Sequence, residues 1–259
     1  MIIKNGRIID PDSRRDEISD ILIKGYIISK IDKNINLEDE EVIDAEGKIV
    51  APGLIDIHVH FREPGFTYKE DIISGSKAAS RGGFTTAVCM ANTNPPVDNI
   101  ETLNYINEIK KQSIINIFQT AAVTKGLKGT EIVNMEELKK YGAAGFTDDG
   151  LPIMDTRIVL NAMLEAKRLD VPISLHEEDK GLISNPGINS GRVSEILCLR
   201  GAPNIAEDVM IARDCLIALN TGAKVNFQHI SSGLSVDIIR WYKSMGANIT
   251  EEASPHHFS

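Results

Sequence analysis

The stretch that decides the fold is LIDIHVHFREPG, residues 54–65. An apolar run leads to His58 and His60, which are one residue apart, and Arg62 follows before a proline–glycine turn. Side chains alternate along a strand, so the two imidazoles are expected to point to the same side. Two neutral imidazoles on one face are a good start to a zinc site.

Apolar runs of this kind recur after residue 50 and alternate with helical stretches. The runs are IVAPGLIDIHVH, FTTAVCMAN, INIFQTAAV, GAAGFTDDG, DVPISLHEE, AKVNFQHIS and ANITEEASPHH, and the predicted helices cover 69–81, 99–112, 134–141, 155–169, 204–221 and 233–245. Asn204 is a good N-cap for the helix that follows it. The alternation predicts an α/β fold, a TIM-like (β/α)8 barrel that is incomplete here, with about seven strands.

The first fifty residues have a different pattern. Short β-branched segments with Gly or Asn-Gly turns predict strands, and no helical period is present. We expect residues 1–50 to form the N-terminal part of a β-sandwich domain and residues 51–259 to form the barrel. So few strands make little core, so we expect this unit to need a partner sheet from elsewhere in the chain.

Composition excludes several classes of protein. Of the 259 residues, 42% are hydrophobic and 25% are charged, which is typical of globular proteins. The net charge of −9 leaves no basic stripe for nucleic acid. No apolar run could span a bilayer and no secretory signal is present, so we expect a cytoplasmic protein. Three widely separated cysteines, Cys89, Cys198 and Cys215, are expected to be buried reduced thiols.

The histidines all occupy one kind of position. Each lies at the carboxyl end of a predicted strand, the end that carries the active site in barrel enzymes; they are His58, His60, His176, His229, His256 and His257. The fourth run adds Asp148 and Asp149, and strand alternation places one of them inward. We assign Asp149 to the interior, where its two oxygens could bridge two metal ions, and Asp148 to a helix cap.

Polar residues beside these strand ends are candidates for substrate binding. Arg62 suits bidentate binding of a carboxylate, and a surface salt bridge is the alternative. In CMANTNPP, either Asn92 or Asn94 could hydrogen-bond a substrate, or the segment could simply form the turn before the prolines. The acidic residues 177–179 are expected to lie in a solvated loop or a helix start.

Together these motifs resemble the amidohydrolase superfamily and, within it, the bacterial class I dihydroorotases. The resemblance spans the chain and rests on GLIDIHVHFREPG, GGFTTAVCMANTNPP, FTDDG, ISLHEED, GRVSEILCLRGAPNIAEDVMIARD, FQHIS and EEASPHH. It implies zinc-dependent, reversible hydrolysis of (S)-dihydroorotate to N-carbamoyl-L-aspartate in de novo pyrimidine (UMP) biosynthesis.

The resemblance also implies a site. It calls for two Zn²⁺ ions per chain, bridged by Asp149 and a hydroxide. The implied metal ligands are His58, His60, Asp149, His176 and His229, and the implied substrate-binding residues are Arg62 and Asn92. The catalytic aspartate of an eighth strand is expected beyond residue 259. We therefore assign no catalytic residue within the chain and expect these 259 residues alone to be inactive or nearly so.

Two alternatives stay open. A dihydropyrimidinase or an allantoinase would share the HxH strand but rely on a bridging lysine, which GAAGFTDDG lacks. A non-catalytic dihydroorotase-like assembly subunit would be expected to have lost metal ligands. The expected partners are the small-molecule substrate, a second copy in a homodimer and aspartate carbamoyltransferase, with no nucleic acid and no membrane.

Overall fold

The computed structural model describes residues 1–184 and 187–258. By its internal contacts the chain divides into two compact units, Met1–Leu54 and Ile55–Ser259. Within the described residues, none of the helices has both the length and the apolar character that a membrane span requires.

The first unit is a five-stranded sheet. Its strands are β1 (Ile2–Asp10), β2 (Arg15–Lys24), β3 (Ile27–Asp32), β4 (Val42–Asp44) and β5 (Ile49–Val50). β2 pairs antiparallel with β1 and β3, and β4 and β5 pair parallel with β1. The core is small: Ile2, Leu22 and Ile35 form its buried cluster, while Ile18 and Ile27 are exposed. That residues 1–50 belong to a β-sandwich domain stays a prediction.

The second unit contains a series of short strands that matches the seven predicted runs. They are β6 (Leu54–Val59), β7 (Phe84–Cys89), β8 (Asn116–Gln119), β9 (Phe146–Thr147), β10 (Ile173–Leu175), β11 (Val225–Phe227) and β12 (Ile249–Glu251). The order is β6-β7-β8 in one sheet and β9 to β12 in another. A parallel bridge between Ala121 and Phe146 links the two sheets. The ladders from β7 onward are parallel.

Helices follow the strands, as the alternation predicts. They are α1 (Ile72–Arg81), α2 (Ile100–Ile109), α3 (Met135–Lys140), α4 (Thr156–Leu169), α5 (Arg192–Ile196), α6 (Ile205–Thr221) and α7 (Gly233–Ser244). Three short 3₁₀ turns, Lys110–Gln112, Lys125–Leu127 and Pro255–His257, complete the elements. The six predicted helices begin and end within three residues of their expected bounds, and of the α-helices in the described part of the chain only the short α5 lacked a prediction.

Side-chain caps explain where several helices begin. Asp71, Asn99, Asn134 and Asp155 each accept a backbone N–H from the first turn of the helix that follows. Asn204 occupies the N-cap position of α6, as predicted, but it does not cap the helix through its side chain. Asn204 already has helical backbone angles, φ −54° and ψ −33°, and its side chain makes no capping hydrogen bond. A capping side chain needs extended backbone at that residue to reach the first-turn N–H groups.

The main core lies between the strands and the helices. Phe146, Ile173 and Phe227, on three neighbouring strands, are among its largest fully buried side chains. Cys89 and Cys215 are buried free thiols, and burial raises the pKa of each to about 12. The expectation of burial is wrong for Cys198, which is exposed.

Candidate metal centre

The predicted ligands lie together at the carboxyl ends of four strands, β6, β9, β10 and β11. His58 lies within the end of β6 and His60 just beyond it, and the other three residues follow the ends of their strands: Asp149 after β9, His176 after β10 and His229 after β11. The carboxyl ends of parallel strands meet on the same side, which is why residues so far apart in sequence converge.

Asp149 lies at the centre of this cluster and is only 4% exposed. Its Oδ1 lies 3.4 Å from Nε2 of His58, and its Oδ2 lies 3.3 Å from Nε2 of His60. Oδ1 also lies 3.7 Å from Nδ1 of His176 and 3.8 Å from Nε2 of His229. One buried carboxylate therefore faces four imidazoles.

The donor set fits zinc. His58, His60 and Asp149 form one group that could hold a metal ion, and Asp149, His176 and His229 form a second, with the ligand atoms of each group within 4.8 Å of one another. Nitrogen and oxygen ligands are usual for zinc, and two atoms bound to a tetrahedral zinc lie about 3.3 Å apart. The separations of 3.3 and 3.4 Å in the first group match that spacing.

Electrostatics keep the centre charged when no metal is bound. Burial alone would raise the pKa of Asp149, but hydrogen bonds with the surrounding histidines hold it well below its ordinary range. Burial alone would lower the pKa of His58, but hydrogen bonds to two carboxylates raise it to about 9. Burial does lower the pKa of His60. At neutral pH, the Asp149 carboxylate is therefore ionised and the His58 ring is positively charged, with both of its nitrogens protonated.

The HxH histidines have hydrogen-bond partners outside the ligand set. Nδ1 of His58 lies 2.9 Å from Oε2 of Glu252, a residue directly after β12 that was not predicted as part of the site. Nδ1 of His60 lies 2.9 Å from Oδ1 of Asn92. The Asn92 amide nitrogen also donates to Oδ2 of Asp149 over 3.4 Å. Asn92 thus reaches two of the candidate ligands.

The other two histidines contact each other. Nδ1 of His176 lies 3.0 Å from Nε2 of His229. These are also the two nitrogen atoms that approach Asp149. His229 has a left-handed backbone, with φ 38°, which is uncommon for a residue with a side chain.

Arg62 lies beside the cluster. Its backbone is left-handed, with φ 60°, so strand alternation no longer sets the direction of its side chain. Its positive charge is one of the influences that lower the pKa of His60, after the main effect of burial. Arg62 makes no ion pair within residues 1–184 and 187–258, so the alternative interpretation, a surface salt bridge, finds no support there.

The loop that carries Arg62 is packed against the loop after β7. Gly65 has φ +88°, and a Cβ added there would lie 2.0 Å from the carbonyl oxygen of Asn94. The Asn94 N–H donates to the carbonyl of Pro64 over 3.1 Å. Glu63 anchors the same loop by accepting the Ile72 N–H at the start of α1. Only glycine fits this close approach of two backbones.

Asp148 has a structural contact instead of the predicted helix cap. Its carboxylate accepts the backbone N–H groups of Val123 and Thr124, at 2.8 and 3.0 Å, and also the Thr124 hydroxyl. The cap of the following helix is Asp155. Burial raises the pKa of Asp148 to about 6, although these hydrogen bonds oppose the shift.

One other polar residue departs from expectation, and two histidines lie apart from the cluster. Glu177, predicted to be solvated, is 5% exposed, and burial together with the nearby Asp214 carboxylate raises its pKa well above the usual range. His256 and His257 lie in the exposed turn Pro255–His257, outside both metal-binding groups. Their position after a strand is as predicted, but they do not join the cluster.

Sequence comparison identifies relatives of this chain. A family model described as Dihydro-orotase-like matches residues 47–235. The chain is 60% identical to the dihydroorotase of Clostridioides difficile, over 100% of this chain and 62% of the relative. It is 56% identical to the dihydroorotase of Clostridium acetobutylicum, over 100% of this chain and 61% of the relative. The chain thus spans about three fifths of the length of these curated relatives.

Solved structures share the fold. The L-hydantoinase (dihydropyrimidinase) of Arthrobacter aurescens superimposes with a TM-score of 0.80 at 22% identity, covering 98% of this chain and 58% of that one. The D-hydantoinase (dihydropyrimidinase) of a Thermus species gives 0.76 at 28% identity, covering 99% and 58%. These matches confirm the predicted TIM-like barrel, of which the described residues contain seven strands. Because the family model matches most of its length, the chain belongs to the dihydro-orotase-like family.

Proposed function

We propose that this protein is a zinc-dependent cyclic amide hydrolase that interconverts (S)-dihydroorotate and N-carbamoyl-L-aspartate in de novo pyrimidine biosynthesis. The observation that carries the proposal is the meeting of two histidine-containing groups at one shared carboxylate, Asp149. The dihydroorotase names of relatives that are 60% and 56% identical support this choice of substrate.

The five ligands would hold two zinc ions per chain. One ion would lie among His58, His60 and Asp149, and the second among Asp149, His176 and His229. When bound, zinc lowers the pKa of water and polarises a carbonyl oxygen, which is the chemistry that amide hydrolysis requires. The low pKa of Asp149 keeps its carboxylate ionised and available to both positions.

Arg62 and Asn92 would bind the substrate carboxylate. Arg62 is half-buried and its guanidinium has no ion-pair partner among the described residues, so its planar fork is free for a carboxylate. The Asn92 carbonyl oxygen is occupied by His60, so its amide nitrogen is the group that would donate to substrate. We assign no general acid or base within residues 1–259.

The second candidate is a dihydropyrimidinase-type activity, favoured by the fold shared with the two hydantoinases. Two features oppose it. The central carboxylate is Asp149, where the alternative activity was expected to use a lysine, and Arg62 offers a positive charge to an acidic substrate. Because little turnover is expected from these 259 residues alone, binding of dihydroorotate, dihydrouracil and allantoin to the zinc-loaded protein, measured by isothermal titration, discriminates between them. Preference for either neutral ring would contradict the proposed substrate.

Metal analysis tests the enzyme proposal independently of turnover. We expect about two zinc ions per chain after dialysis against zinc-containing buffer, and loss of both on treatment with a strong chelator. A protein that binds no zinc would instead support the non-catalytic subunit. Metal content is the sharper measurement here, because turnover also depends on an acid–base group that we do not assign.

The remaining expectations concern the partners of the protein and its location in the cell. A homodimer, an association with aspartate carbamoyltransferase and a place in the cytoplasm stay predictions. Size-exclusion chromatography with light scattering, alone and with the carbamoyltransferase added, measures the first two.

A further inference from the structure

Glu252, which directly follows β12, is an acidic residue whose side chain is largely buried. Its side chain is 12% exposed, and it lies against His58, which is 194 residues away in sequence. Its backbone is fixed on both sides, because its N–H donates to the carbonyl of Phe227 and its carbonyl accepts the N–H of Ile230, each over 2.9 Å. The carboxylate is therefore presented from a well-held segment.

Both oxygens of this carboxylate are used. Oε2 lies 2.9 Å from Nδ1 of His58, and Oε1 accepts the Asn226 amide N–H over 2.6 Å. Asn226 is itself held by the Thr250 hydroxyl, which donates to its Oδ1 over 2.9 Å. A chain of hydrogen bonds thus runs from β12 through β11 to the HxH strand.

This contact determines which ring nitrogen of His58 is available to bind a metal ion. A carboxylate can only accept, so Nδ1 carries the proton and donates it to Glu252. The other nitrogen, Nε2, then points at Asp149, 3.4 Å from Oδ1. Among the described neighbours of the four clustered histidines, Glu252 is the carboxylate closest to a ring nitrogen that faces away from Asp149.

We propose that Glu252 is a positioning residue for His58: it fixes the tautomer and orientation of the ring and thereby strengthens the first metal position. The inference rests on the proposed zinc site. Carboxylates that hold the far nitrogen of a metal-binding histidine raise its basicity, and their loss typically weakens metal binding by 10–100-fold. Asn92 holds His60 in the same way but through a neutral carbonyl, so its influence is weaker.

The test compares Glu252→Gln with Glu251→Gln in the purified protein. Glu251 is the adjacent residue on the opposite face of β12, paired with Lys243 over 3.0 Å, and provides the same chemical change away from the cluster. Zinc affinity is measured by competition with a chromophoric chelator. We expect zinc affinity at the His58–His60–Asp149 position to weaken about tenfold or more in Glu252→Gln and to be unchanged in Glu251→Gln.

A spectroscopic readout separates positioning from general structural damage. In nitrogen-15 NMR spectra of the metal-free protein, at a pH where the ring is neutral, we expect His58 to be the Nδ1–H tautomer. Glu252→Gln should mix the tautomers while the melting temperature stays close to that of Glu251→Gln. Asn226→Ala, which frees the other Glu252 oxygen, should show a smaller change in the same direction and serves if Glu252→Gln does not fold.

The outcomes are distinct. Unchanged zinc affinity and an unchanged tautomer in Glu252→Gln would overturn the positioning role and leave the metal site standing. A wild-type protein that binds no zinc would overturn the proposed function, and the positioning role with it.

Discussion

The two halves of the proposed metal centre are built differently. His58 and His60 come from one strand, and each has an outer partner, Glu252 or Asn92, that holds the nitrogen facing away from Asp149. His176 and His229 come from two strands and face each other over 3.0 Å. The outer contacts of the first pair are short, at 2.9 Å for both rings, whereas among the described residues the second pair has only the longer contact of 3.5 Å between His176 and Glu178. We therefore expect the first position to bind zinc more tightly.

Removing the shared carboxylate is the change with the largest expected effect. In Asp149→Asn both halves lose a charged ligand, so zinc affinity should fall at both positions by more than the roughly 100-fold upper end of what loss of an outer partner costs. Elemental analysis after gel filtration measures the loss, with the exposed Asp237→Asn as the control. Retention of two ions would mean that Asp149 is not shared.

Removing one histidine from each half tests the asymmetry directly. His58→Asn should leave one weaker site, and His229→Asn should leave one tighter site, each with about one zinc per chain. The expected difference between the remaining affinities is about tenfold, the lower end of what an outer carboxylate contributes. Isothermal titration with zinc measures both variants. Equal affinities would erase the distinction between the halves.

Much of this centre could be predicted from the sequence, because it depends on strand alternation. The HxH spacing placed His58 and His60 on one face, and the same rule chose Asp149 over Asp148. Alternation could also have found Glu252, which shares a face with Thr250 on the seventh strand. Its partner could not be found in that way, because only the folded arrangement brings it next to His58.

For other residues, the local sequence pattern did not predict the observed conformation or burial, and the physical reason can be named in each case. Glu177 was predicted to be exposed because acidic runs usually are, but the fold buries it near Asp214 on α6. Arg62 was placed by strand parity, yet its left-handed backbone breaks the strand geometry on which parity depends. Asn204 is a preferred N-cap type, but its helical backbone angles leave it without the capping bond.

A neighbouring substitution separates stability from metal binding. Asp148→Ala leaves the buried N–H groups of Val123 and Thr124 without their acceptor, so we expect the free energy of unfolding to fall by about 2 kcal/mol. Zinc stoichiometry should stay at about two, because Asp148 belongs to neither group of ligands. Urea denaturation of the metal-free protein measures the first quantity. A loss of one zinc ion would show that Asp148 also supports a metal position.

The smallest expected effect is a change of about one in the number of protons released when zinc binds. His58 has a pKa of about 9 in the metal-free protein, so at pH 7 zinc must displace the proton from Nε2, whereas at pH 10 it need not. Titrations in buffers of different ionisation enthalpy should show about one more proton released at pH 7. The same raised pKa stabilises the metal-free fold below pH 6.5, and this contribution is lost as pH rises through 9. Identical proton release at both pH values would contradict a charged His58.

The contact between Gly65 and Asn94 has a consequence for protein engineering. Any side chain at position 65 would collide with the backbone of Asn94. The two loops that carry Arg62 and Asn92 are therefore packed together as one structural unit. Grafting either loop alone into another barrel would separate the arginine from the asparagine. A designer who wishes to transfer the proposed substrate-binding pair would have to move both loops together.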